Sequence, residues 1–281
     1  MDAIADGSGD DRSRRSDRGW ENDSTANTAA ICWQRKDIVV KLFDAVIVGG
    51  GPAGLSAALL LGRCRRRVLL CDDGHPRNAA SAALHGFLTR DGIPPAGLLR
   101  IGREQLLPYD TVECRSITVT GVRRLDHRFE VTLADGCSVA ARKLVLATGV
   151  TDQFPTVPGF HEFYGSSVFH CPYCDGWELR DQPLAVYGNG ERGKGLALEL
   201  TVWSAQIVLC TDGPSGLDTR DIERLRAQGI AMHDRPVASL EGHDGRLQRV
   251  RFADGTTVNC RAMFFTTGQR QRSLFSGAAR M

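Results

Sequence analysis

Residues 43–63 read FDAVIVGGGPAGLSAALLLGR, and this stretch decides the fold. The apolar run Phe43–Val48 has the length of a buried strand, and a glycine turn ends it. Beyond the turn, Leu55, Ala58 and Leu59 fall on one face at helical spacing. Strand, glycine loop and helix in that order form a phosphate cradle. In Gly49-x-Gly51-x-x-Gly54, Gly49 permits the tight turn and Gly51 lets a pyrophosphate approach the backbone, while Gly54 lets helix and strand pack closely. The helix start then offers unpaired N–H groups to the anion. A bare GxGxxG match is weak, since 31 glycines supply about 0.4 by chance. Context strengthens it: RRRVLLCDDG supplies a second buried strand, and Asp72 lies 23 residues past Gly49, where a ribose would need an acceptor.

The same logic recurs downstream. Val131–Gly149, VTLADGCSVAARKLVLATG, aligns without gaps to Val250–Gly268, VRFADGTTVNCRAMFFTTG, with 8 of 19 positions identical. Composition alone predicts about one identity. Each block reads as strand, Asp-Gly turn and strand ending in Thr-Gly, and the first ends in Thr148-Gly149. Each also follows its own glycine loop, the second being Gly188-x-Gly190-x-x-Gly193. The chain therefore carries two copies of one nucleotide-binding unit. The first is longer by about 20 positions between glycine loop and Thr-Gly, which predicts an extra loop. His85-Gly86-Phe87 and Arg90-Asp91 fall there and are candidates to line its pocket. In the second copy Asp212 lies 24 residues past Gly188, and Thr211–Pro214 holds no basic residue. An acid there repels a 2′-phosphate and favours NADH over NADPH.

Composition narrows the function classes. The chain has 281 residues, room for two domains. Its 35 basic and 33 acidic residues leave a net charge of +2, which argues against a nucleic-acid partner. No apolar run approaches the roughly 18 residues of a membrane span, and residues 1–30 lack the apolar core of a secretory signal. Nine cysteines without such a signal suit a reducing, cytoplasmic setting. Residues 1–42 mix both charge signs with Ser, Asn and Gly and are expected to be disordered.

Within His170–Glu178, HCPYCDGWE, the pair Cys171 and Cys174 has a spacing that serves zinc binding, a structural disulfide or redox exchange. Zinc needs four ligands, and no second Cys-x-x-Cys or His-x₃-His completes a site, so no metal is expected. A structural bridge closing so short a loop stabilises little. Position favours redox chemistry: the pair lies between the two units, where a dithiol can face a cofactor held by the first. Asp175, next to Cys174, is the expected proton donor, because thiolate formation governs exchange.

Taken in order, GGGPAG, LVLATG, CPYCDG and GNGERG make residues 43–272 resemble the low-molecular-weight thioredoxin reductases and their relatives among FAD-dependent pyridine nucleotide-disulfide oxidoreductases. The resemblance implies an α/β fold of two Rossmann-like three-layer (ββα) domains, the second inserted into the first. The expected division is 1–42 extension, 43–157 FAD-binding domain, 158–272 NAD(P)-binding-like domain and 273–281 tail. It implies FAD contacts from Gly49, Gly51, Pro52, Ala53, Gly54, Asp72, Thr148 and Gly149, and nicotinamide-nucleotide contacts from Gly188, Gly190 and Gly193. Cys174 would be the flavin-proximal sulfur and Cys171 the interchange thiol. Electrons would pass from NADPH or NADH through FAD to the pair, then to a thioredoxin-like protein or small disulfide; a homodimer is compatible with this. Two departures stand out. The basic cluster for a 2′-phosphate is missing, and the family's closing Gly-Asp segment does not follow Gly268, which predicts weak FAD retention. The alternatives are an oxygen-dependent dithiol oxidase or a non-catalytic relic.

Overall fold

The computed structural model describes residues 41–273 and residue 275. The expected extension therefore lies outside the described residues except at 41–42, and the expected tail except at 273 and 275.

The first unit comprises β1 (Leu42–Val48), α1 (Pro52–Arg63), β2 (Val68–Asp72), α2 (Pro95–Glu104), β3 (Val112–Ser116), β4 (Val119–Leu125), β5 (Arg128–Leu133) and β6 (Ser138–Leu146). Its sheet order is β3-β2-β1-β6-β5-β4. The first four strands run parallel, and β4–β6 form an antiparallel meander. Burial on both faces explains why β1 is a nearly continuous apolar run rather than an alternating one. Ile47, Leu55, Val68, Leu70 and Leu99 fill the helical side, and Phe43, Val46, Leu69, Val131 and Leu133 the meander side. Each such side chain contributes about 1.5–3 kcal/mol by leaving water.

The run from Val112 to Gly121 divides: β3 extends the parallel layer, and β4 starts the meander beyond Ile117. A polar and apolar mixture serves either partner, so only tertiary pairing separates them.

A ribbon strand β7 (Val150–Gln153), α3 (Phe160–Phe163), β8 (Val168–Phe169) and α4 (Pro172–Asp175) lead into the second unit. It continues with β9 (Leu184–Tyr187), α5 (Gly190–Leu200), β10 (Ile207–Cys210), α6 (Thr219–Ala227), β11 (Ala231–His233), β12 (Val237–His243), β13 (Arg246–Phe252), β14 (Thr257–Asn259), β15 (Ala262–Phe265) and β16 (Gly268–Gln271). Its parallel sheet has the order β11-β10-β9-β15-β8, and β12–β14 form a separate meander. The four strands β11-β10-β9-β15 match β3-β2-β1-β6, so the internal repeat is a repeat of architecture. Phe160, Phe163 and Phe265 are fully buried together at the entry to this unit.

β7 and β16 pair antiparallel, Gly268 with Gln153 through Gln271 with Val150, so the chain leaves and re-enters the first unit along one ribbon. Arg272 N–H then donates to Gly149 O, the Ser273 hydroxyl meets Thr148 Oγ1 at 3.1 Å, and Phe275 packs on the first core. The second unit is thereby inserted into the first.

Candidate functional site

Strand register sets the site. The last residue of β1, Val48, pairs with Cys71 and Leu146, so the glycine loop, Asp72 and Ala147–Gly149 emerge at one carboxyl edge. That edge is where open α/β sheets bind ligands. A cavity of about 640 Å³ opens there, lined by Gly49–Ala53, Asp72, Arg77, Thr148 and Gly149 among others. The glycines do different work. A Cβ on Gly54 would lie 1.9 Å from Gly49 O, so this glycine brings helix and loop together. A Cβ on Gly51 would meet nothing within 4 Å, so this position borders open space. The start of α1 has no side-chain cap and no acid in its first turn, leaving its N–H groups for an anion. Asp72 lies against Gly50, accepts from Gly74 N–H at 3.3 Å, and pairs with Arg103 at 2.6 Å. Volume, bare helix start and edge carboxylate fit an elongated dinucleotide such as FAD.

The second loop is built alike but is filled by its own chain. Gly193 packs on Gly188 as Gly54 does on Gly49. The Gly190 N–H, however, donates to Ser215 O at 2.9 Å. Asn189 Nδ2 holds the same segment through Thr211 O at 3.1 Å and Pro214 O at 2.9 Å. Asp212 is equally committed: its oxygens accept from the Tyr187 hydroxyl at 2.5 Å and Val237 N–H at 2.7 Å. Glu191 occupies the first turn of α5, paired with Lys194.

β8 brings the cysteines to this same edge, since its pairing with β15 sets Phe169 beside Phe264. Cys171 and Cys174 are joined in a disulfide, with Cys171 half-buried and Cys174 exposed. Pro172 starts α4, where a proline loses no hydrogen bond, and Asp175 ends it half-buried. Burial raises the Asp175 carboxyl to about 6; the nearby His85 opposes this and Glu178 adds to it. Cys71, Cys210 and Cys260 are buried outside this disulfide, and burial pushes their thiols up to about 12. They are too basic to exchange.

One side chain connects cavity and disulfide. Arg77 lines the cavity and pairs bidentately with Asp152 of β7, at 2.7 and 2.8 Å. Its Nη2 also reaches His170 Nε2 at 2.8 Å, one residue from Cys171. Arginine has no acceptor, so His170 is neutral at Nε2 and carries its proton on Nδ1, which faces the Tyr164 hydroxyl at 3.4 Å. Burial, then the Arg77 charge, hold the His170 pKa below its ordinary value against Asp152. Burial raises Asp152, but its bonds to Arg77, with His170 and Gln269, more than reverse this and keep it below the usual range. These partners are 75 and 93 positions apart, and no local pattern marks them.

The structure gathers Gly49, Gly51, Pro52, Ala53, Asp72, Thr148 and Gly149 around one cavity, with Gly54 packed behind the loop. Gly188, Gly190 and Gly193 form a second loop, and Cys171, Cys174 and Asp175 share one turn. His85, Phe87, Arg90 and Asp91 are not among the cavity's lining residues. Among the described residues, no three His, Cys, Asp or Glu side chains are grouped to hold a metal, and no helix is long and apolar enough to cross a membrane.

Comparison with known proteins agrees with this geometry. Residues 43–280 match the family model described as pyridine nucleotide-disulphide oxidoreductase. A probable thioredoxin reductase of Arthroderma benhamiae is 34% identical over 254 residues, covering 80% of this chain and 62% of the relative's own length. Thioredoxin reductase tcpT of Claviceps purpurea is 34% identical over 77% of this chain and 71% of its own. The crystal structure of HlmI superposes with a TM-score of 0.80 at 38% identity, covering 84% of this chain and 75% of that one. An oxidoreductase from Agrobacterium tumefaciens gives a TM-score of 0.79 at 34% identity, covering 84% and 78%.

Proposed function

Because the chain belongs to the pyridine nucleotide-disulphide oxidoreductase family, in its thioredoxin reductase-like branch, we propose that it is an FAD-dependent disulfide oxidoreductase working through Cys171 and Cys174. The observation that carries this reading is Arg77, which lines the first cavity and also bonds the residue beside the disulfide. FAD, when bound, supplies two-electron exchange with a dithiol and with a nicotinamide. Gly49, Gly51, Pro52, Ala53, Thr148 and Gly149 would seat its pyrophosphate and backbone, and Asp72 its ribose, with Gly54 keeping loop and helix in contact. Cys174 is the sulfur that exchanges with the cofactor, and Cys171 attacks the substrate. In that attack Cys171 Sγ bonds one substrate sulfur and the substrate S–S bond breaks. Cys174 then displaces the second thiolate as the Cys171–Cys174 bond re-forms. Asp175, held at about 6, supplies and recovers protons near neutral pH. The substrate is a thioredoxin-like protein or a small disulfide. The units run over 43–157 and 158–272.

A second reading runs the cycle backwards, oxidising a small dithiol to its disulfide and passing the electrons to oxygen. It is favoured by the second glycine loop, whose Gly190 N–H and Asp212 carboxylate are already engaged where a nicotinamide dinucleotide would need them.

Anaerobic reconstitution with FAD, followed by addition of NADPH, NADH or a dithiol, separates the two. Bleaching by a nicotinamide supports the reductase, and bleaching by dithiol alone supports the oxidase. Failure to take up FAD refutes both. Cys171→Ser and Cys174→Ser abolish disulfide turnover; retained turnover would remove the pair from the mechanism.

A further inference from the structure

One wall of the first cavity is irregular chain. Past β2, Asp73 and residues 75–78 line it, and the segment 73–80 contains neither helix nor strand. Its internal hydrogen bonds are short-range turns, His75 N–H to Asp73 Oδ1 and Ala79 N–H to Pro76 O, each at 3.2 Å. Such turns shape a loop but leave its placement to longer contacts.

Two arginines supply those contacts. Arg77, inside the segment, bonds Asp152 of β7. Arg272, the first residue past β16, takes hold nearer β2: its Nη2 meets Asp73 Oδ2 at 3.0 Å, and its Nη1 donates to His75 O. The main chain of Arg272 is fixed as well. Its N–H donates to Gly149 O at 3.2 Å, and the hydroxyls of Ser273 and Thr148 meet at 3.1 Å. Arg272 therefore ties the chain leaving β2 to the chain leaving β6. Those strands are the two neighbours of β1, about 10 Å apart at two strand spacings, and the glycine loop leaves β1 between them. Arg272 itself lines the cavity.

We propose that Arg272 is a positioning residue for FAD, which clasps Asp73 and His75 and so fixes the 73–78 wall beside the ribose acceptor Asp72. This rests on the reading of the first cavity as the FAD site. The guanidinium suits the task because its planar fork of donors takes a carboxylate and a carbonyl together. A wall that is already fixed costs nothing to order when FAD arrives. A loose one draws its ordering cost from the affinity.

Two measurements on the full chain test the clasp, and neither needs turnover. In the first, FAD is titrated into the FAD-free protein and followed by quenching of flavin fluorescence. Arg272→Gln and Asp73→Asn should each weaken binding by about fivefold, the worth of one partly exposed ion pair with its hydrogen bond. Asn at position 73 still accepts from His75 N–H, so the local turn survives. Because both changes remove one clasp, the double variant should be within about twofold of either single one. The second measurement is hydrogen–deuterium exchange of the FAD-free chain, which should speed up over residues 74–81 in both single variants. Affinity changes under about twofold, effects that multiply in the double variant, or unchanged exchange over 74–81 would each refute the clasp. Weakening by Arg272→Gln with Asp73→Asn at wild-type affinity also overturns it, since Arg272 would then act on FAD without Asp73. If the wild-type chain takes up no FAD, the reading of the cavity fails and this proposal with it.

Discussion

Replacing Arg77 with Met keeps an unbranched apolar stem and removes the guanidinium charge from a carboxylate that is 3% exposed. Asp152 would lose both guanidinium bonds and keep Gln269 Nε2 at 3.2 Å. Breaking a buried pair by removing one partner costs about 3–5 kcal/mol. The Arg77 side chain is 35% exposed, so water softens the loss, and about 2–3 kcal/mol is expected. That corresponds to a fall in Tm of about 5–10 °C for a chain of this size. The sign with pH follows from Asp152, whose native pKa is lowered. Its stabilisation is complete above the unfolded value of about 3.9 and is lost as pH falls through the lower native value. The gap between wild type and Arg77→Met is therefore full at pH 7 and narrows below about pH 4. Urea denaturation at several pH values measures it. Adding Asp152→Asn removes the stranded charge and should recover about 1 kcal/mol. A loss under about 0.5 kcal/mol at pH 7, or a double variant no more stable than the single one, would refute the argument.

Gly51→Ala and Gly54→Ala should part company. The first meets nothing within 4 Å, so stability stays within about 0.5 kcal/mol while FAD uptake, followed by flavin absorbance, weakens. The second drives a methyl group into Gly49 O, costs about 2–3 kcal/mol, and loses both stability and uptake. Asn189→Ala removes two bonds to the 211–214 segment, costs about 1–2 kcal/mol in denaturant, and should speed amide exchange at Gly190. Unchanged exchange there would mean that Asn189 does not hold the segment down.

The duplicated architecture was legible because both signals are local. A short apolar run closed by glycines and followed by a helical period reads as a buried strand entering a tight turn, and the Asp-Gly hairpins mark the two meanders. Cys171, Cys174 and Asp175 were legible for the same reason, as neighbours on one turn. Arg77, Asp152 and His170 were not, because their contacts cross 75 and 93 positions and depend on how the ribbon sets one unit against the other.

The second glycine loop marks the same limit. Its spacing announces a dinucleotide site, and Asp212 stands at the position expected of a ribose acceptor. Only the folded chain places Ser215 O on the Gly190 N–H and the Tyr187 hydroxyl on Asp212. Backbone spacing thus determined that two cradles exist, because strand, turn and helix are set by near neighbours. Tertiary structure decided that one cradle is open and the other is filled by its own chain, because hydrogen-bond partners are chosen by proximity in space.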